Sequence, residues 1–167
     1  MWKINDTVVY GSAGICEISD IRDENFNGET KKYYILKPIF DDRNTFFVPS
    51  FNERLMAKMF PVLNKAEVMA VIKEIPSIAP NWIENDKERQ EKYKNILESG
   101  DRQAIVGMIK ALFERNDTLT KLGKRMRSSD EIFKKQAETL FENECAHILG
   151  ISRQDVPLFI SEQLKNA

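Results

Sequence analysis

The period of the apolar residues changes once along this chain, at Pro61, and that change limits the folds open to it. Residues 1–60 hold ten of the sixteen aromatic side chains. They lie in short runs rich in β-branched and aromatic residues, bounded by turn formers, as strands do. Beyond Pro61, Val68, Met69, Val71, Ile72 and Ile75 recur at helical spacing. Strands first and helices after read as α+β.

In the first half, Thr7-Val8-Val9-Tyr10 is a strand and Gly11-Ser12-Ala13-Gly14 a turn. Residues 15–21 form the next strand. Asn27-Gly28 is the strongest short hairpin signal, because a type I′ turn wants positive φ at both central positions. Residues 32–37 return as a strand that Pro38 stops. The turn at Asp41-Asp42-Arg43-Asn44 leads into Thr45-Phe46-Phe47-Val48. Pro49 removes a ladder donor and marks that strand as an edge. Residues 54–60 are predicted as one more strand. The whole reads as a small curled antiparallel sheet or a small Tudor/SH3-like antiparallel β-barrel over residues 1–60.

Residues 61–167 read as a compact five-helix domain. Asn81, with Glu84 three positions on, is predicted to cap a helix and to put Trp82 at its first residue. Residues 84–92 contain no apolar side chain, so that helix is expected to be anchored near Tyr93, Ile96 and Leu97 and solvated at its other end. Ser99-Gly100-Asp101 closes it and caps the next, which runs to about Thr118. Ser128 and Glu131 have capping-box spacing. Phe133, Ala137, Leu140, Phe141, Glu144 and Ile148 trace a long helix ended by Gly150. Ser152 and Asp155 open the last one, which Pro157 pushes a turn later.

Several function classes lack support. His147 is the only histidine, and Cys16 and Cys145 are the only cysteines, too few for a His/Cys metal site. Both cysteines sit among core-type neighbours and read as buried free thiols. No phosphate loop or nucleophile–base set is present. The expectation is therefore no enzyme, no cofactor and no metal. The first residues lack a signal peptide's basic and apolar segments, and no apolar run approaches a membrane span. A cytoplasmic monomer without membrane contact is expected. Residues 1–60 carry 8 Lys+Arg against 9 Asp+Glu, and the remainder 17 against 17, so only local clusters could favour nucleic acid.

Two such clusters stand out. Lys121, Lys124, Arg125 and Arg127 fall within seven residues that contain no acid and lead into a helix N-terminus, a setting that suits phosphate. The alternative is a solvated loop neutralised by Asp130 and Glu131. Lys87, Arg89, Lys92 and Lys94 share a helix with Glu84, Asp86, Glu88 and Glu91, which also describes an ordinary solvent face. Phe46-Phe47-Val48 puts consecutive aromatics on opposite faces of an edge strand. One should face the barrel core, and the other is covered by the helical domain, by a partner or by nothing; core packing alone is the alternative to a docking role. Trp82 has two readings, a packed plug or a wedge against DNA.

The chain resembles the bacterial CarD/CdnL transcription regulators, with features of their clostridial branch. The resemblance rests on Asp6-Thr7-Val8-Val9-Tyr10-Gly11-x-x-Gly14, Tyr33-Tyr34-Ile35-Leu36-Lys37-Pro38, Asn81-Trp82-Ile83, Tyr93 and Ser99-Gly100-Asp101. Gly123-Lys124, Ser129-Asp130-Glu131, Ala137-Glu138-x-Leu140, Glu144 and Leu149-Gly150-Ile151 extend it. The opening motif is shared with the polymerase-binding module of transcription-repair coupling factors. The resemblance implies a Tudor-like domain that docks on the RNA polymerase β subunit, partly through a strand edge. It also implies a helical domain that contacts promoter DNA at the upstream edge of the bubble, weakly on its own. Trp82 matches the family's minor-groove wedge, which stabilises the open complex. Polymerase contact would fall on Arg43, Phe46, Phe47, Val48 and Pro49, and DNA contact on Lys87, Arg89, Lys92, Lys94, Lys121, Lys124, Arg125 and Arg127. The chain departs from relatives in a longer insert after Trp82. It also has Glu24 and Phe47 in place of docking arginines, and Glu131 and Ile132 in place of basic residues. A second reading keeps polymerase docking but has the helical half recruit another protein, with Trp82 as domain glue.

Overall fold

The computed structural model describes residues 1–166, which divide into two compact units, Met1–Val62 and a second from Leu63 onward. In the first, β1 (Thr7–Tyr10), β2 (Gly14–Phe26), β3 (Glu29–Pro38), β4 (Phe46–Pro49) and β5 (Met59–Pro61) form one antiparallel sheet in the order β4-β3-β2-β1-β5. The expected closed barrel is not formed. β4 and β5 end the sheet without pairing with each other, and the three-residue β5 pairs only with β1. The predicted strand over 54–60 is also corrected. The Asn52 side chain accepts from Leu55 N at 3.1 Å and starts a short helix, α1 (Glu53–Met56), so only Met59–Pro61 remains extended.

The Asn27-Gly28 turn forms with φ of 54° and 82°. β2 and β3 pair up to it, from Cys16↔Pro38 out to Phe26↔Glu29, beyond the segments read from sequence. The register shifts between Ile18 and Asp20, where Ser19 is the extra residue and its hydroxyl donates to Ile35 O at 3.2 Å. Such a bulge returns Ile21 to the face of Ile18 although the two are three positions apart. Val8, Cys16, Ile18, Tyr34, Leu36, Val48 and Met59 form the core of this unit.

The second unit contains α2 (Lys65–Glu74), α3 (Asp86–Ser99), α4 (Arg102–Lys121), α5 (Ser128–Leu149) and α6 (Val156–Lys165). Its caps only partly follow the sequence reading. Asn81 does not begin a helix: its side-chain amide donates to Ala104 O at 3.0 Å, and its Oδ1, the atom a cap would use, accepts no hydrogen bond among the described residues. Asn85 caps α3 instead, accepting from Glu88 N at 3.0 Å, so Trp82 lies in a loop three residues before the cap. Ser128 and Glu131 form no capping box, whereas Asn64 and Glu67 form one at the start of α2. Gly100 and Asp101 close α3 and cap α4 as expected, and Gly150 ends α5. Ser152 opens a 3-10 turn, and α6 follows with Pro157 in its first turn, where a missing N–H is harmless.

Tyr93, Ile96, Leu97, Ile105, Met108, Leu112, Ala137, Phe141, Cys145 and Val156 lie in the helical core. Cys16 and Cys145 are free and buried, and burial pushes each thiol up to about 12. Among the described residues no helix is long and apolar enough to cross a membrane.

Candidate functional site

Two constellations, one in each unit, gather the residues singled out by sequence. In the sheet unit β4 is an edge strand, paired on one side with β3 through Leu36↔Phe46, Ile35↔Phe47, Tyr34↔Val48 and Tyr33↔Pro49. Strand alternation then assigns its side chains. Val48 is fully buried in the core, so it can offer a partner only its backbone. Phe46 is half-buried on the same core, its ring 5.6 Å from Tyr10. Phe47 points to the opposite face and is 42% exposed. Arg43 lies in the preceding turn, exposed and paired with Asp41 at 3.1 Å.

Phe47 does not stand alone. Its ring is 6.0 Å from Phe26, which is 5.0 Å from Tyr33, which is 5.9 Å from Phe51, all edge-on. The Lys31 ammonium sits 4.6 Å over Phe51. Phe26, Phe47 and Phe51 are all exposed, so an aromatic strip runs across this face beside the open edge. Sequence reading missed Phe26 and Phe51. Strands over 15–21 and 32–37 alone leave Phe26 in the connecting loop, and Phe51 follows the strand. Glu24 is ion-paired with Arg22 on the same ribbon.

In the helical unit, Trp82 is half-buried against the core and held at both chain neighbours. Asn81 N donates to Gly107 O at 3.3 Å and Asn81 O accepts from the Tyr93 hydroxyl at 3.3 Å. Gly107 permits this approach, since a Cβ there would meet Ala79 O at 2.9 Å. The indole N–H donates to Glu84 at 3.0 Å. Two guanidinium groups face the ring, Arg89 at 4.2 Å and Arg115 at 5.3 Å from its centroid.

Arg89 is therefore corrected as a surface cation. It occupies the inward position one turn before Tyr93 and is 1% exposed. It donates to both Asp130 oxygens at 3.0 Å and to Asp86 at 2.7 Å. Burial opposes its charge, but the hydrogen bonds that it donates to Asp130 and Asp86, with their negative charges, outweigh that and raise its pKa. The N-terminal half of α3 is thus anchored rather than simply solvated. Asp86 is also paired with Arg127 at 2.8 Å. The Arg89 hydrogen bond, aided by the charges of Arg127 and Arg115, holds its carboxyl below the ordinary value near 3.8.

The structure thus brings Arg89, Arg115 and Arg127 together around Asp86, beside Trp82. Lys87, Lys92 and Lys94 lie exposed along α3, and Lys121 is paired with Asp117 at 2.9 Å. Lys124 and Arg125 are exposed on a loop set by hydrogen bonds from Gly123 N to Thr120 O and from Lys124 N to Leu119 O, and by buried Met126. That pair of bonds is a Schellman ending of α4. Arg115 was missed because it lies within α4, far along the chain from Trp82.

An open sheet edge beside exposed aromatic rings is a feature of surfaces that take macromolecular partners. Residues 2–60 match the family model described as the CarD-like/TRCF RID domain, a protein-interaction family rather than a catalytic one. The match covers the sheet unit and ends before the helical one. No curated protein matches the chain.

Proposed function

We propose that the protein is a non-enzymatic transcription regulator that docks on the RNA polymerase β subunit through its sheet unit. The observation that carries this is the open edge of β4, with Phe47 exposed beside it, within a segment that matches the CarD-like/TRCF RID domain. A polymerase strand adding to this edge would gain backbone hydrogen bonds, and the strip from Phe26 to Phe51 would supply buried aromatic area. The helical unit then presents Trp82, with Arg115 and Arg127 near it, to promoter DNA at the upstream edge of the bubble. Preferential binding to the open state lengthens its lifetime, since a ligand shifts such an equilibrium only through differential affinity.

Base–aromatic stacking of ~1–3 kcal/mol sets the expected scale of the Trp82 contribution. The test is open-complex lifetime on a responsive promoter with Trp82→Ala. A shortening of about tenfold with polymerase binding intact supports the contact, and an unchanged lifetime discards it. Docking is tested separately by polymerase capture with the full chain and with Phe47→Ala.

A second reading has the helical unit recruit another protein. It is favoured by four large apolar side chains exposed on that unit, Phe113, Leu122, Ile132 and Leu158. Salt separates the two. Phosphate contacts weaken steeply as salt rises, whereas apolar recruitment does not.

A further inference from the structure

We propose that Arg89 is the positioning residue for Trp82, fixing the indole in the pose it presents to its partner. This deepens the DNA-contact reading and rests on it only for its functional consequence. Every N–H of the Arg89 guanidinium is used. Nε donates to Asp130 Oδ1 at 3.0 Å. Nη1 donates to the carbonyls of Ile83 at 2.8 Å and Glu84 at 3.3 Å. Nη2 donates to Asp86 at 2.7 Å and Asp130 Oδ2 at 3.0 Å.

The choice of partners separates positioning from fold maintenance. A buried ion pair is seldom the most stable filling for its volume, and apolar residues of similar size often serve as well or better. Apolar residues could not hold the Ile83 and Glu84 carbonyls, which belong to the two residues that follow Trp82. The backbone just before Trp82 is pinned independently, by Gly107 and Tyr93 through Asn81. Arg89 supplies the second anchor, and its planar face then backs the indole at 4.2 Å. Asp130 locks the fork in one orientation. A lysine has no planar fork and cannot reproduce this set. Without Arg89 the loop after Trp82 loses both carbonyl bonds and the ring loses its platform.

The experiment uses the full chain with Trp2→Phe, so that Trp82 is the only fluorophore of its kind. Arg89→Met is combined with Asp130→Leu to avoid leaving a buried carboxylate unpaired. Arg89→Lys is the second variant, should the double one fail to fold. Time-resolved anisotropy reads indole motion in the free protein, and open-complex lifetime reads function. The expected result is a cooperative melt like that of the parent, with a new sub-nanosecond anisotropy component. The lifetime falls about tenfold, matching Trp82→Ala, and Arg89→Lys restores neither readout. A folded variant whose indole stays as immobile as the parent's overturns the proposal. So does a lifetime equal to the parent's when Trp82→Ala shortens it. If Trp82→Ala itself leaves the lifetime unchanged, the DNA-contact reading fails, and anisotropy alone still decides whether Arg89 positions the ring.

Discussion

The sheet unit and the helical unit display aromatic side chains by opposite means. On the sheet, Phe26, Tyr33, Phe47 and Phe51 touch mainly one another, and three of the four are exposed. Their positions follow from strand register and need no buried charge. In the helical unit a single aromatic, Trp82, is held half-buried by a guanidinium that is itself 1% exposed and saturated with hydrogen bonds. The first arrangement tolerates loss of one ring, because the backbone of β4 remains. The second depends on a chain of contacts, so one substitution disturbs the indole, α3 and α5 together. A strip of rings can be placed by strand register alone, whereas a single half-buried ring needs an individual mount.

The comparison breaks most sharply at the charges. Arg89→Ala should destabilise the helical unit by about 3–5 kcal/mol, because Asp130 is left buried and unpaired. Arg22→Ala on the sheet ribbon should change stability far less, because its pairs with Asp20 and Glu24 are exposed and screened by water. Chemical denaturation of the two variants checks this. Equal effects would mean that Arg89 is no more structural than a surface pair.

Gly107→Ala comes next. Its Cβ would lie 2.9 Å from Ala79 O and 3.1 Å from the Asn81 amide, and an overpacked site of this kind loses about 1–3 kcal/mol. The same denaturation measurement, with Trp82 emission as a second signal, should show a less stable unit and a displaced indole. A wild-type melt and spectrum would show that the loop before Trp82 gives way freely.

Phe47→Ala should leave stability within about 0.5 kcal/mol, as exposed positions do, while weakening polymerase binding by about tenfold. Surface-immobilised polymerase would measure it. Loss of all binding would sharpen the contrast in the other direction, making one ring rather than the strip and edge the main contact.

The smallest effect is that of pH on Asp86. Its folded-state pKa lies below the ordinary value near 3.8. The stability it contributes is therefore complete above that value and is lost as pH falls through the lower, folded-state one. Melting curves of Asp86→Asn should show less of this acid sensitivity than the parent. An identical pH profile would detach Asp86 from the Arg89 network.

Much of the architecture was legible in the sequence because it rests on local chemistry. The Asn27-Gly28 turn, the Gly100-Asp101 helix junction, Gly150 and the displaced start of the last helix all depend on residues near in sequence. Where the reading failed, a pairing that the local pattern does not reveal set the outcome. Asn81 has the right chemistry to cap a helix, but Ala104 O takes its side chain. Phe26 reads as a loop residue until the pairing with Glu29 carries the strand out to it.

The site divides along the same line. The sequence by itself determined that strands precede helices, that an edge strand carries paired phenylalanines, and that a tryptophan opens a charged stretch. Only the tertiary structure decided that Arg89, read as one of several surface cations, is the best-buried charge, and that Arg115 stands beside the indole. The reason is physical. A charge is buried only if partners satisfy it, and the main partner of Arg89, Asp130, lies forty-one residues away on α5.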